Sequence, residues 1–203
     1  IKNYGADAVR LFILSDSPPE KDVQWSDQGM IASYKFIQKF WLLHRKIIKK
    51  ITSNEGGEDS KSLANFTNTL INKITKNLEK FHYNVIIANF YETYNYLNKE
   101  IEKPINKFEL IENYKKILIL IQPVIPHIAL ECLNEIDEKY KQTWPVADFK
   151  LIQKETFNIV IQIGGKKRGL ILSESDITEE QLIKKIEDDI VMSKFIKDKK
   201  IKK

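Results

Sequence analysis

The sequence predicts a mainly α-helical protein, in which an antiparallel helical bundle is followed by a small α/β module of two strands and a helix. Apolar residues recur at steps of three and four through successive segments up to about residue 138, and short links join these segments. Strict alternation replaces that spacing in "TFNIVIQI", residues 156–163. The pair Gly164-Gly165 then separates this run from a second apolar run, which indicates a two-residue hairpin turn.

Composition places the chain among soluble globular proteins. Of its 203 residues, 42% are hydrophobic and 30% are charged, and the net charge of +5 is concentrated after residue 149. This modest basic excess permits a polyanionic partner. No apolar run is long enough to predict a membrane span, so we expect a cytoplasmic protein or one of an organellar matrix. Cys132 is the only cysteine, and its leucine neighbours predict a buried apolar side chain.

The first segment predicts a helix over residues 5–15 that ends at two prolines. Asp7 and Arg10 are three residues apart, so they can pair on the surface of this helix. Ser26 or Asp27 is the expected N-cap of the next helix. Because the chain starts at Ile1 in the middle of such a pattern, we expect it to be an excerpt from a longer protein.

The second helix, residues 28–52, has the clearest periodicity. One face is predicted to be apolar and to contain Ile31, Tyr34, Ile37, Trp41, His44, Ile48 and Ile51. The opposite face contains four lysines within roughly 60° of one another; they are Lys35, Lys39, Lys46 and Lys50. A solvated surface is one interpretation of these lysines, and a stripe that faces phosphates is the other. An ordinary exposed face mixes both signs of charge, which favours the second interpretation.

Further helices are predicted over residues 62–80, 84–101, 107–122 and 126–138, after a polar loop at 53–61. Phe81 continues the apolar positions of the first of these helices. The aromatic residues of the 84–101 helix are expected to belong to the core, and stacking platforms for nucleic-acid bases are the alternative. These aromatic residues are Tyr83, Phe90, Tyr91, Tyr94 and Tyr96.

The hairpin of the small module contains a basic cluster directly after its turn. Strand alternation predicts that Lys166 and Arg168 share one face and that Lys167 lies on the other. The cluster is either a charged edge that prevents aggregation or a contact for a phosphate backbone. Thr178 and Gln181 form a capping-box pattern at the start of the final helix.

The sequence contains no phosphate-binding loop, no dinucleotide-binding turn, no Ser-His-Asp set and no metal-ligand spacing. We therefore predict no catalytic residue and no metal site in this chain. The residues alone leave two functions open. One is RNA binding, and the other is a helical scaffold that binds proteins.

Five segments resemble one family, the leucyl-tRNA synthetases of the bacterial or organellar type. They are "YGADAVRLFILSDSPPEKDVQWSD", "LEKFHYNVIIA", "IQPVIPHIALECL", "WPVAD" and "IVIQIGGKKRG". The resemblance covers nearly all of the chain and places it after the family's catalytic lysine-methionine-serine loop. It departs from the family pattern at Leu133, where the family has Trp, and at the hairpin turn, where the family has Asn-Gly.

The resemblance implies three parts. Residues 1–27 would be a connector helix and elbow, in which Asp7, Arg10 and Trp25 hold the joint to the upstream catalytic domain. Residues 28–148 would be the anticodon-binding type of helical bundle. Residues 149–203 would be a small C-terminal tRNA-binding module that is truncated.

The resemblance also implies a function, which is to hold tRNA(Leu) while the whole ligase joins leucine to it with ATP and Mg²⁺. The catalytic and editing sites would lie upstream, so this chain would need no cofactor and would act as part of a monomer. The tRNA contacts would come from the bundle lysines and from Lys166, Lys167 and Arg168. A valine or isoleucine ligase is the nearest alternative, and the protein-binding scaffold is another.

Overall fold

The computed structural model describes residues 1–16, 21–53, 56–57, 61–152, 156–163, 166–174 and 177–189. The chain divides into two compact units, Ile1–Ile152 and Gln153–Lys203. The described part of the first unit is built from α1 (Ala6–Asp16), α2 (Asp27–Thr52), α3 (Lys61–Glu79), α4 (Tyr83–Glu100), α5 (Lys107–Ile121) and α6 (Pro126–Ile136). The predicted fold class is confirmed. The functional division at residues 27 and 148 stays a prediction.

Helix α5 lies at the centre of the bundle. Every residue from Ile117 to Ile121 is buried, and α5 packs against α2, α3 and α6. An apolar run of this kind leaves no polar face for solvent, which is why the helix is enclosed by its neighbours. Tyr114 of the same helix is also fully buried. Each of its neighbours covers α5 with one apolar face, so those helices keep an outer face for solvent.

The buried face of α2 differs from the predicted face. The helix buries Met30, Ser33, Phe36, Phe40, Leu43, His44 and Ile47. Ile31, which was predicted to be inside, is 40% exposed. Helix α2 has two adjacent stripes of apolar residues, each at helical spacing. Only one of these stripes can point directly at α5. Packing selects the stripe with the two phenylalanines, because Phe36 lies against the aromatic side chains of α4.

The aromatic residues of α4 form internal contacts. Phe90 is 2% exposed, and the ring of Phe36 lies 4.3 Å from that of Tyr91 between centroids. Phe66 and Tyr96 stack in parallel, with a centroid distance of 3.8 Å. The prediction that these residues belong to the core is confirmed, although Tyr91 keeps 40% of its surface exposed.

The corner between α3 and α4 corrects a second prediction. Phe81 was expected inside as the last apolar position of α3, but it follows the end of that helix and is 61% exposed. Its φ angle is 56°, in the left-handed region. The amide of His82 donates to Asn77 O (2.9 Å) and the amide of Phe81 donates to Leu78 O (3.1 Å). These two bonds form a Schellman motif, in which the left-handed residue ends the helix.

The second unit consists, in its described residues, of β1 (Thr156–Ile163), β2 (Lys166–Glu174) and α7 (Glu179–Asp188). The strands pair as an antiparallel hairpin, and the predicted turn at Gly164-Gly165 lies outside the described residues. Buried Ile161, Ile171 and Ile186 form the core of this unit. The predicted capping box is confirmed, since the Thr178 and Gln181 side chains each bind the other residue's backbone amide.

None of the helices in the described part of the chain has the length and apolar character that a membrane crossing requires.

Candidate nucleic-acid interface

The outward face of α2 is a cationic surface of the bundle. Lys35, Lys39, Lys46 and Lys49 are exposed, while Lys50 is half-buried and makes an interaction of its own. No acidic residue occurs from position 28 to position 53. The lysines run from Lys35 to Lys50, so at 1.5 Å per residue this face extends for about 23 Å along the helix. A long face of one sign raises the local concentration of a polyanion.

A shallow pocket of about 420 Å³ lies at the C-terminal end of this face. Three lysines line it, together with Ser53, Ile101 and Glu102; they are Lys46, Lys49 and Lys50. The carboxylate of Glu102 reduces the positive potential at one side of the pocket. Lys49 was missed from the sequence, although the helical spacing places it about 60° from Lys46. A wider window on the helical wheel would have included it.

Arg45 also lies on α2, but the sequence did not single it out. Its guanidinium is about half exposed and pairs with Glu135 of α6. The other oxygen of that carboxylate lies 3.0 Å from Nε2 of buried His44. Arg45 therefore shares its charge with a carboxylate, whereas the outward lysines named above lie on a stretch without acids. Sequence spacing alone does not show this pair, because its partners are 90 residues apart.

His44 connects the cationic helix to the core. Its Nδ1 lies 3.2 Å from the hydroxyl of Tyr114 on α5, so three helices meet at one imidazole. Burial lowers the pKa of His44, and the hydrogen bond with Glu135 only partly opposes that shift. Hydrogen bonds from His44 and Arg45 lower the pKa of Glu135. Burial raises the pKa of Cys132 to about 12, which keeps this thiol protonated and confirms its predicted role as a buried side chain.

The basic cluster of the hairpin is exposed, and a β-bulge lies within it. The pairing passes from Ile161–Gly169 to Gln162–Lys167, which makes Arg168 the additional residue of a β-bulge. A bulge resets the alternation of faces. Lys167 pairs with exposed Gln162 and so lies on the outer face, opposite buried Ile161, while Lys166 pairs with Ile163. Lys166 and Lys167 therefore lie on opposite faces, as predicted, and the sharing of one face by Lys166 and Arg168 stays a prediction.

Asp7 and Arg10 of α1 both bind the corner between α5 and α6. One oxygen of Asp7 accepts from the backbone and ring nitrogens of His127, and the other accepts from Ile128 N at 2.8 Å. Asp7 is thus an N-cap for α6 supplied by another helix, since Ile125 at the N-cap position provides no side-chain cap. Arg10 donates to the carbonyl oxygens that precede α6, Pro123 O and Val124 O.

The expected surface pair of Asp7 and Arg10 is replaced by these longer-range contacts. Asp7 accepts from backbone amides at the start of α6, and Arg10 donates to backbone carbonyls just before it. Neither set of backbone groups has a partner within a helix. Trp25, the third residue predicted at the joint, contacts a different part of α1. Its ring meets Phe12 edge to face at 5.3 Å, and its Nε1 donates to Asp27 at 2.9 Å. Because Trp25 is 63% exposed, most of its surface remains open for further contacts.

The exposed lysines of α2 can bind a polyanion through ionic contacts. Among the described residues, no group of histidine, cysteine, aspartate and glutamate side chains could hold a metal ion. Lysines on a rigid helix bind phosphates through charge, without regard to base sequence.

Comparison with known proteins identifies the bundle. The family model for the anticodon-binding domain of tRNA ligase matches residues 60–190. The chain belongs to this family. The matched residues extend from α3 through α7, so they include the hairpin cluster as well as most of the bundle.

Two curated relatives of this tRNA-ligase family member are leucine–tRNA ligases. The protein of Fervidobacterium nodosum is 34% identical over 194 residues, which cover 90% of this chain and 24% of that protein. The protein of Syntrophobacter fumaroxidans is 34% identical over 218 residues, covering 100% of this chain and 26% of that protein. The chain therefore spans about a quarter of the length of the curated relatives it matches.

A solved structure has the same fold. The LeuRS of Agrobacterium radiobacter, in a ternary complex with tRNA and LeuAMS, superposes with a TM-score of 0.71. It is 22% identical in sequence, and the superposition covers all of this chain and 27% of that protein. The fold of the tRNA-ligase family is thus shared along the whole chain.

Proposed function

We propose that this chain is the tRNA-binding C-terminal part of a leucine–tRNA ligase, and that it positions tRNA(Leu) for ATP-dependent leucylation. The observation that carries the proposal is the exposed, acid-free lysine face of α2 in a member of the anticodon-binding family. The similarity to leucine–tRNA ligases over 90% or more of the chain supports leucine as the amino acid.

Positioning is the proposed contribution to the reaction. Contacts with the tRNA backbone would hold the acceptor end in a reactive orientation, so that binding energy far from the chemistry lowers the barrier. The α2 lysines supply charge, and the network of His44, Tyr114 and Glu135 holds α2 rigidly against α5 and α6. The whole ligase would use ATP with Mg²⁺ in an upstream domain. Its partners would be tRNA(Leu) and its own catalytic and editing domains, and it would act as a cytoplasmic monomer.

The role of the α2 lysine face in tRNA binding is tested by replacing two of its central lysines with neutral glutamine. We expect Lys39→Gln with Lys46→Gln to weaken tRNA binding and to reduce the dependence of binding on salt. Each lost phosphate contact lowers the slope of log K against log salt by roughly 0.7–0.9, so the double variant should lose about 1.4–1.8. The measurement is filter binding of a tRNA(Leu) transcript at several salt concentrations.

The matched control is Lys139→Gln with Lys141→Gln. These two lysines are exposed and follow α6 instead of belonging to α2, and the control removes the same charge. Equal slopes for the two double variants would show that net charge alone governs binding and would contradict the proposal for α2.

The hairpin cluster is tested with Lys166→Ala and Arg168→Ala together. We expect weaker tRNA binding and a smaller salt slope, because both side chains extend from the bulged end of the hairpin. Gel shifts at low salt measure the affinity. Unchanged affinity and slope would remove the hairpin from the interface and leave α2 as its main surface.

The amino acid is tested on the whole ligase. We expect aminoacylation assays with single amino acids to show charging of tRNA(Leu) with leucine. Preferential charging with valine or isoleucine would assign the chain to a different ligase, and the absence of any shift of tRNA by the chain at low salt would favour a protein-binding scaffold.

A further inference from the structure

An exposed phenylalanine stands at the corner between α3 and α4, where a helix end of this geometry usually has glycine. Phe81 has a φ angle of 56° and is 61% exposed. A left-handed conformation is unfavourable for a residue with a β-carbon, and the Schellman motif needs no side chain at this position. The corner thus tolerates a strained backbone while it places a large ring in solvent, a combination that is found at binding sites.

The ring of Phe81 is oriented by a neighbour. The ring of Tyr83 lies 6.2 Å from it between centroids, with 59° between the two planes. Tyr83 is half-buried and packs against the bundle core. The core therefore buttresses Phe81 through Tyr83, while most of the surface of the Phe81 ring stays available. A rigidly held aromatic ring loses little entropy when a flat partner stacks on it.

Two exposed lysines lie close to Phe81 in the sequence. Lys76 and Lys80 are four residues apart at the end of α3, so they lie on one face of the helix, and both are exposed. His82 is also exposed and follows Phe81 directly. Glu79 is the one acidic residue from position 76 to position 83. An exposed ring with two exposed lysines within five residues of it along the chain matches a partner that carries a flat base and a phosphate.

We propose that Phe81 and its two lysines form a nucleotide-stacking site. The Phe81 ring stacks on an unpaired base of the bound RNA, and Lys76 and Lys80 contact the phosphates next to that base. Stacking of this kind requires no particular base, because every base presents a flat π surface. The inference deepens the proposed function, on which it rests, by adding a contact that does not depend on charge alone.

The site is separate from the lysine pocket of α2. That pocket includes Ile101 and Glu102, which follow the C-terminal end of α4, whereas Phe81 precedes the N-terminal end of the same helix. Helix α4 has 18 residues, so the two ends are about 27 Å apart at 1.5 Å per residue. A folded RNA is large enough to reach both ends, and a single mononucleotide is not. The proposed site therefore fixes the direction of the RNA along the bundle.

Three substitutions at one position test the proposal with the full chain and a tRNA(Leu) transcript. Phe81→Leu removes the flat ring, and we expect it to weaken tRNA binding about fivefold or more. Phe81→Trp keeps a stacking surface, and we expect binding at least as tight as in the wild type. Neither change alters charge, so the salt slope should stay constant.

Phe81→Gly separates binding from folding. Glycine adopts the left-handed conformation without strain, so we expect a higher melting temperature together with the same loss of tRNA affinity as Phe81→Leu. If the ring had only a structural role, the melting temperature and the tRNA affinity of Phe81→Gly would fall together. Phe108→Leu is the matched control, because Phe108 is 81% exposed at the start of α5, lies between Lys107 and Glu109, and is not at the left-handed corner between α3 and α4.

The outcomes are distinct. Loss of affinity in Phe81→Leu and Phe81→Gly, with Phe108→Leu unchanged and Phe81→Trp binding at least as tightly as the wild type, supports the site. Wild-type affinity in both ring-removing variants overturns it, as does an equal loss in Phe108→Leu, or a loss that only follows unfolding. If these variants bind normally while the α2 lysine variants reduce the salt slope, this inference fails and the proposed function stands. If the wild-type chain does not bind tRNA at low salt, both fail.

Discussion

Replacing Asp7 with alanine is expected to separate α1 from the start of α6. The carboxylate is buried, at 6% exposure, and accepts hydrogen bonds from His127 N, His127 Nδ1 and Ile128 N. The His127 side chain is exposed and can turn to water once its acceptor is gone. The two backbone amides cannot turn, because they are fixed in the first turn of α6. Alanine would therefore leave both amides without an acceptor at this position.

The expected loss of stability follows from these contacts. Removal of a side-chain N-cap costs about 0.5–2 kcal/mol, and hydrogen bonds to a charged group contribute about 1.5–3 kcal/mol. The two ranges describe overlapping effects, so we expect the free energy of unfolding to fall by roughly 2–4 kcal/mol. For a domain of this size each kcal/mol lowers the melting temperature by about 2–4 °C, which predicts a decrease of about 4–16 °C. Asp7→Asn keeps one acceptor oxygen and should lose about half as much.

Thermal unfolding followed by circular dichroism measures this effect. The control is Asp22→Ala, which removes an exposed carboxylate in the segment before α2. Asp7→Ala, Asp7→Asn and the control should rank in that order of destabilisation. The reasoning would be refuted if Asp7→Ala melted at the same temperature as Asp22→Ala, since α6 would then start without the help of α1.

Two further predictions concern pH and close packing. The folded-state pKa of His44 lies below its ordinary value of 6.5, so the unfolded chain binds a proton more readily as the pH falls below that value. Urea titrations should show that the free energy of unfolding of the wild type falls between about pH 7 and pH 5. The His44→Gln variant should lose this pH dependence of stability. The His82→Gln variant, changed at an exposed position, should keep it. Gly57→Ala should lower stability by about 1–3 kcal/mol in the same titration, because a β-carbon there would overlap the backbone of Ile105. Gly56→Ala, where a β-carbon meets nothing within 4 Å, is its control, and equal stability of the two would contradict the overlap.

Local signals in the sequence were sufficient for the helix and strand boundaries. Ser26 caps α2 as expected, with its side chain accepting from Gly29 N, and α2 begins one residue before the predicted start. The β1 strand has the predicted bounds. These features depend on neighbours within four residues along the chain, so a short window of sequence contains the interactions that decide them.

Contacts between distant residues account for two of the errors, and a local turn accounts for a third. The sequence offered two adjacent apolar stripes on α2 and did not show which of them meets α4 and α5. It predicted an Asp7–Arg10 pair because those residues are close along α1, whereas their partners lie more than 110 residues away. Phe81 fitted the apolar spacing of α3, but the local hydrogen bonds of the Schellman turn, between residues no more than five apart, end that helix before the phenylalanine.

By itself, the sequence determined the order and type of the elements, the lysine-bearing face of α2 and the family to which the chain is similar. Each of these depends on residue type at short, regular spacing. The tertiary structure alone decided that Arg45 pairs with Glu135, that Asp7 caps another helix and that Lys167 turns to the outer face at the β-bulge. Those contacts depend on how helices and strands meet after folding, and steric fit between distant segments selects them.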